Sequence, residues 1–445
     1  MGDLSRRDFI KVAGAAAVTL GVAAACKPGP GRSGNETEVS EGMPLRTNPN
    51  SGDRVSILGY GCMRWPMVTD ESGKEVIDQA KVDEMVDYAI FHGVNYFDSA
   101  PVYLQGQSEA ATGKALSRYP RSSYYIATKM SNHRMFEPTY EEGVAMFKRS
   151  LGYYNTDYVD YYLMHNLGGR AAFNTRFVEN GLLDFLLEQR RLGHIRNLGF
   201  SFHGQRDGFD EMMALHDTYH WDFVQIQMNY VDWYTGDAEY LYNELDSRGI
   251  PVIIMEPLLG GRLSDVPKVV AEKFKEREPE ASIASWAFRF CGSKPRVLTA
   301  LSGMTYMEHL QDNLKTFLQF KPLTDEEMDF LKEAAGLISK YPLVACTNCQ
   351  YCMPCPYGIN IPGIFKHYNG CVNDGIIAQS AEQKDFRKLR RAYLTSYDKA
   401  IESIRQADHC ISCNQCVPRC PQSIRIPQEL RRIDNYVESL KQEKL

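Results

Sequence analysis

Between residues 55 and 317, short apolar runs alternate with amphipathic helical patterns, and that alternation leaves few folds open. The runs Val55–Tyr60, Val94–Phe97, Tyr124–Thr128, Tyr158–Met164, Ile195–Phe200, Phe223–Met228, Pro251–Met255 and Val297–Leu301 have the length and composition of strands. Between them, Lys81–Phe91, Thr139–Leu151, Gly181–Arg191, Ala238–Arg248, Ile283–Phe290 and Met307–Phe317 repeat apolar residues at helical spacing. Strands alternating with helices build a parallel sheet, and eight such units predict a closed (β/α)8 barrel, the TIM-barrel architecture. An open doubly wound sheet would carry a Gly-rich turn after its first strand, which is missing. The formal G-x-G-x-x-G match at Gly29, Gly31 and Gly34 has no strand before it and no helix after it, so it reads as accidental.

A barrel of this kind gathers its chemistry where strands end. Asp98 closes the second apolar run, Lys129 the third and His165 the fourth, while Tyr103 follows Asp98 by five residues. Any one of them alone has a plain structural explanation: a cap, an exposed strand end or a satisfied core histidine. Four together, at the ends of consecutive strands, predict one shared mouth.

Beyond the barrel stand two cysteine runs, Cys346, Cys349, Cys352, Cys355 and Cys410, Cys413, Cys416, Cys420, the last of each followed by proline. A tight C-x2-C-x2-C loop can cover three iron corners of a [4Fe–4S] cube and leaves the fourth for a remote ligand. CxxC pairs alone would suit zinc, but two triplets each closed by Cys-Pro predict two [4Fe–4S] clusters. Cys62 and Cys291 sit in apolar surroundings and read as buried small hydrophobes.

Two resemblances follow from these residues. The cysteine runs resemble those of bacterial ferredoxins, which implies crossed ligation: Cys346, Cys349, Cys352 and Cys420 on one cluster, and Cys410, Cys413, Cys416 and Cys355 on the other. The first run departs from that pattern, with two residues rather than three before its last cysteine. The segments Phe97–Tyr103, Ala127–Lys129 and Leu163–His165 resemble the catalytic tetrad of the aldo/keto reductases. With the cysteine runs added, the chain resembles the subfamily carrying a ferredoxin-like dicluster domain. The resemblance implies that Tyr103 gives a proton to the alkoxide left by carbonyl reduction. A cationic Lys129 beside it would lower its pKa, Asp98 would pair with Lys129, and His165 would donate a hydrogen bond to the substrate oxygen. It implies NADP or NAD lying across the mouth, with Ser201 and Gln225 at the carboxamide and Asp312–Asn313 at the adenine. Met255 stands where a stacking tyrosine is usual, and Phe202 where an asparagine follows the serine. Gly303 and His309 stand where cations usually meet the 2′-phosphate, and neutral histidine holds phosphate less well than an arginine fork. Arg262 is a further candidate phosphate contact.

The remaining stretches concern address and organisation. Ser5-Arg6-Arg7-Asp8-Phe9-Ile10-Lys11 followed by apolar Val12–Ala25 reads as a twin-arginine export signal. Cleavage after Ala23-Ala24-Ala25 and lipidation at Cys26 both fit, placing the protein in a periplasm. The expected organisation is a signal over 1–26, a linker over 27–49, the barrel over 50–335 and a small, helical and irregular ferredoxin-like domain over 336–445. A net charge of −6 gives no nucleic-acid surface, and the mature part has no apolar stretch long enough to span a bilayer. Substrate specificity is expected around Arg64–Pro66, Asn132–Arg134 and Asn166–Thr175, for a small carbonyl or alcohol. A one-electron protein partner is expected for the clusters. The competing expectation is an electron-transfer subunit whose barrel is a scaffold.

Overall fold

The structure is a computed structural model that describes residues 42–134 and 138–445, with Arg134 described by its backbone alone. The twin-arginine segment, Cys26 and the Gly29–Gly34 motif lie outside the described residues. Eight parallel strands close into a barrel: β1 (Leu58–Gly61), β2 (Tyr96–Asp98), β3 (Tyr125–Met130), β4 (Val159–Leu167), β5 (Ile195–Phe202), β6 (Phe223–Gln227), β7 (Val252–Met255) and β8 (Val297–Ser302). Helices between the strands bury an apolar face against the sheet, which produces the large outer core. The inner layer is separate and includes Tyr96, Ala127, Tyr161, Leu163, Phe223 and Ile253.

Strand alternation turns that inner layer into a site. Side chains two apart share a face, so the inward series Tyr96, Ala127, Tyr161 and Leu163, Phe223 and Ile253 continues to Asp98, Lys129, His165, Gln225 and Met255. The register supports this: Asp98 pairs with Ala127, and Lys129 with Leu163. Large rings fill the lower layer, with Tyr96 and Phe223 each 5.1 Å from Tyr161 between centroids.

The apolar run Val55–Tyr60 is not one strand. Arg54–Ser56 pairs antiparallel with Leu45–Thr47, whereas Leu58 begins the barrel. The Ser56 hydroxyl donates to the Leu58 carbonyl at 2.7 Å and turns the chain between the two pairings. That hairpin floors the barrel: Asn48 donates to the Tyr161 hydroxyl at 3.2 Å, and Tyr161 donates to Asp53 at 3.0 Å. The expected linker therefore ends before residue 45, because Asn48 is fully buried.

C-terminal to the barrel, the helices Ile361–Asn373, Phe386–Ala400 and Ile426–Gln442 enclose a second core that includes Ile364, Phe365, Tyr393 and Ile433. The basic stretch near Lys384–Arg391 lies at the start of the middle helix, which buries Phe386, Tyr393 and Tyr397. An internal repeat underlies the domain. Cys355-Pro356-Tyr357-Gly358-Ile359-Asn360-Ile361-Pro362 matches Cys420-Pro421-Gln422-Ser423-Ile424-Arg425-Ile426-Pro427. Each copy ends on a helix with proline in its first turn, where no backbone N–H is needed. No helix among the described residues is long and apolar enough to cross a membrane.

Candidate active site

Asp98, Tyr103, Lys129 and His165 meet at the C-terminal mouth. Lys129 is fully buried; its ammonium donates to Asp98 Oδ1 at 2.5 Å and to the Ser99 carbonyl at 2.7 Å. The same ammonium lies 5.0 Å from the centre of the Tyr103 ring. The Tyr103 and His165 rings are 5.9 Å apart and nearly perpendicular. Burial holds His165 well below the ordinary histidine range, helped by His133, Lys129 and Arg176, so its imidazole is neutral. The Ser131 hydroxyl sits 2.7 Å from its Nδ1. The expected lowering of the Tyr103 phenol does not emerge. Burial, then Tyr351 and Asp98, push it well up, while the Lys129 charge is engaged by Asp98. The phenol keeps its proton.

Several residues at this mouth carry no individual role in the reading from sequence. Ser131 and His133 continue the period-two series of Lys129 past the end of β3, which is the signal that would have found them. Arg176 fixes the loop behind His165 by donating to the His165 carbonyl at 2.6 Å and to Asn132 Oδ1 at 2.7 Å. Trp65, expected beside the substrate, is instead buried and donates to Thr112 at 2.9 Å.

The first cysteine loop lies over this mouth. Thr347 is buried; its carbonyl accepts from Arg64 at 2.6 Å. At Gly260 (φ +68°), an added Cβ would stand 2.2 Å from the Thr347 oxygen, so the two backbones touch where only glycine fits. The Tyr351 ring lies tilted, 6.0 Å from His133 between centroids, and His133 is 4.7 Å from His165. Gln227 and Gln422 exchange hydrogen bonds at 3.2 and 2.8 Å. Barrel and cysteine domain accordingly form one compact unit.

The eight thiols fall into two groups by mutual electrostatic contact. Cys346, Cys349 and Cys352 each feel Cys420, and Cys416 feels Cys410, Cys413 and Cys355. Those neighbour sets match the crossed grouping that the ferredoxin resemblance implies. In both loops the residues flanking the middle cysteine are left-handed: Asn348 and Gln350 (φ 54° and 62°), and Ser412 and Asn414 (both 60°). Such turns aim successive N–H groups into a concavity suited to an anionic centre, and Asn348 N–H donates to the Cys346 sulfur. The donor set fits two cubanes.

Comparison with known proteins agrees with this geometry. The Aldo/keto reductase family profile matches residues 58–335, and the 4Fe-4S dicluster domain profile matches residues 345–426. The chain belongs to the aldo/keto reductase family. Its curated relatives include the uncharacterized oxidoreductase YqkF of Bacillus subtilis, 24% identical over 62% of this chain and 92% of that protein. L-galactose dehydrogenase of Arabidopsis thaliana is 25% identical over 58% of this chain and 79% of its own length. Among solved structures, the thermostable aldo-keto reductase Tm1743 aligns at 25% identity with a TM-score of 0.53, covering 66% of this chain and all of that one. The holo form of AKR11C1 from Bacillus halodurans shares the fold, with a TM-score of 0.54 and 23% identity over 66% of this chain and 96% of that one. This chain is thus an aldo/keto reductase-type oxidoreductase with a dicluster domain.

The positions expected to hold a dinucleotide are engaged within the protein. Ser201 accepts from the Asn166 N–H at 2.8 Å, and Gln225 donates to Asp98 at 3.3 Å. The buried Asn313 amide donates to Ser302 at 2.8 Å, and Asp312 accepts from Ser282 at 2.6 Å. Arg64 lies across Gly303, with its side chain 2.9 Å from where a Cβ would stand. His309 is exposed and packs on Tyr306 at 5.2 Å. Met255 precedes Glu256 (φ +55°), whose carboxyl is shifted up by burial and down by Arg64. This arrangement does not fit a dinucleotide across the mouth.

Proposed function

We propose that this oxidoreductase interconverts a carbonyl and an alcohol at the Tyr103 hydroxyl. One observation supports this most: the buried Lys129–Asp98 pair lies under the ring of a protonated Tyr103 that faces a neutral His165. With Nδ1 accepting from Ser131, His165 presents Nε2–H to the substrate oxygen and orients it. Tyr103 then gives its proton as negative charge gathers on that oxygen, with the Lys129 ammonium 5.0 Å from the centre of its ring. Asp98 holds Lys129 in place. NADP or NAD is the family's hydride donor, but the groove residues do not fit it, so no step is assigned to it.

Cys346, Cys349, Cys352 and Cys420 would hold one [4Fe–4S] cluster, and Cys410, Cys413, Cys416 and Cys355 the other. Bound there, clusters supply one-electron transfer, exchanging with an external redox protein. The Arg6-Arg7 signal supports export in the folded, cluster-loaded state to a periplasm, with Cys26 at the processing point. The test is anaerobic: protein reduced with dithionite and freed of excess is mixed with a carbonyl panel while the cluster absorption is followed. Reoxidation by some carbonyl, slowed about 10²–10⁴-fold by Tyr103→Phe with unchanged iron content, is the expected result. A Tyr103→Phe rate equal to wild type refutes the reading and favours a barrel that is only a scaffold.

A further inference from the structure

We propose that the barrel mouth works without a pyridine dinucleotide, and that the Cys346–Cys352 loop, lying on the cofactor's ground, delivers electrons singly to the substrate. The proposal rests on the carbonyl reading only for what is reduced.

Three observations carry it. The groove's polar groups already have internal partners: the nearly fully buried Asn313 donates to Ser302, Asp312 accepts from Ser282, and Ser201 accepts from the Asn166 N–H. The groove is also covered. Arg64 crosses Gly303 and is tied to the Thr347 carbonyl, and that carbonyl is in backbone contact with Gly260. A pyrophosphate would have to lift Thr347 together with Cys346 beside it. The third observation is continuity. The first quartet stands next to the tetrad, with Tyr351 between Cys349 and Cys352 leading through His133 to His165 at centroid steps of 6.0 and 4.7 Å. Met255 stands where a ring stacking on a nicotinamide is usual in the family the chain resembles.

The chemistry balances without hydride. Reduction of a ketone to its secondary alcohol takes two electrons and two protons. The first electron and the Tyr103 proton convert the carbonyl to a neutral ketyl radical. The second electron and a proton from water form the C–H bond, and water returns a proton to Tyr103. A one-electron carrier protein is the reductant, and clusters held by the two cysteine quartets would relay its two electrons one at a time. One-electron delivery makes the radical the costly species, so the substrate must delocalise it. The class is a carbonyl conjugated with an aromatic ring or a second carbonyl.

The wild-type holoprotein, purified without air, is first titrated with NADPH and NADH by equilibrium dialysis. No saturable binding up to about 1 mM, the upper end of ordinary substrate affinities, is expected. Saturable one-to-one binding of either nucleotide overturns the proposal and leaves the Tyr103 reading standing. The dithionite-reduced protein, freed of dithionite, is then mixed with benzil or with cyclohexanone. Reoxidation by benzil but not cyclohexanone, slowed at least about tenfold by Tyr103→Phe, is expected. No reoxidation by benzil, or a rate unchanged in Tyr103→Phe, overturns it.

Discussion

Lys129 shows how much one buried charge can carry. It is fully enclosed, and its three donors are directed by Asp98, the Ser99 carbonyl and the Tyr103 ring face. Replacing it with methionine keeps the volume but leaves Asp98 buried without its cation. Breaking a buried pair by removing one partner costs about 3–5 kcal/mol, so Lys129→Met should lower the unfolding free energy by that order and abolish turnover. Urea titration beside the carbonyl assay checks both. A double variant, Asp98→Asn with Lys129→Met, should regain part of the stability and none of the activity. The sequence placed Asp98, Lys129 and His165 at one mouth because strand alternation is a local rule. It did not foresee the protonated phenol, since burial of Tyr103 is a product of tertiary packing rather than of local pattern.

The cysteine loops form a pair of matched elements. Their shared left-handed turns and repeated Cys-Pro segments give each half the same local shape, and the fourth cysteine of each reaches the other half's triplet. Cys420→Ser should therefore disturb the cluster of Cys346, Cys349 and Cys352, whereas Cys355→Ser should disturb the other. EPR of the reduced proteins should show a different cluster signal lost in each; loss of the same signal in both would contradict crossed ligation. Gly260 decides how the first loop meets the barrel. With φ +68° and the Thr347 oxygen 2.2 Å from a Cβ, Gly260→Ala can be housed only if the loop lifts. The expected outcome is preferential loss of the Cys346 quartet's signal, with the barrel still folded by circular dichroism.

Across the whole molecule, the tetrad makes stability depend on pH with a defined sign. His165 is neutral when folded, its pKa held well below 6.5 by burial and nearby positive charge, while unfolded histidine titrates near 6.5. The unfolded chain therefore binds more protons in acid. This contribution to stability is present above about pH 6.5 and is lost as pH falls below it, at up to about 1.4 kcal/mol per pH unit. Urea midpoints at about pH 7.5 and pH 5.5, on either side of that value, should show the fall in wild type and a smaller one in His165→Gln. The same enclosure ties the two domains together. Gln227–Gln422, Arg64–Thr347 and the Asn373 amide on the Asp265 carbonyl (2.6 Å) seat the cysteine domain on the barrel.

The sequence by itself determined the periodic and the local. Eight alternating units predicted a barrel, period-two alternation set three inward titratable residues at its mouth, and cysteine spacing announced two iron–sulfur sites. Each follows from geometry within a few residues of chain. The hairpin floor, the clamp of Arg176 on the His165 carbonyl and the Cys346–Cys352 loop over the mouth were decided by tertiary structure alone. They join segments up to 283 residues apart, as from Arg64 to Thr347. No local pattern encodes which distant backbone will come to rest against Gly260; only packing two cores into one unit settles it.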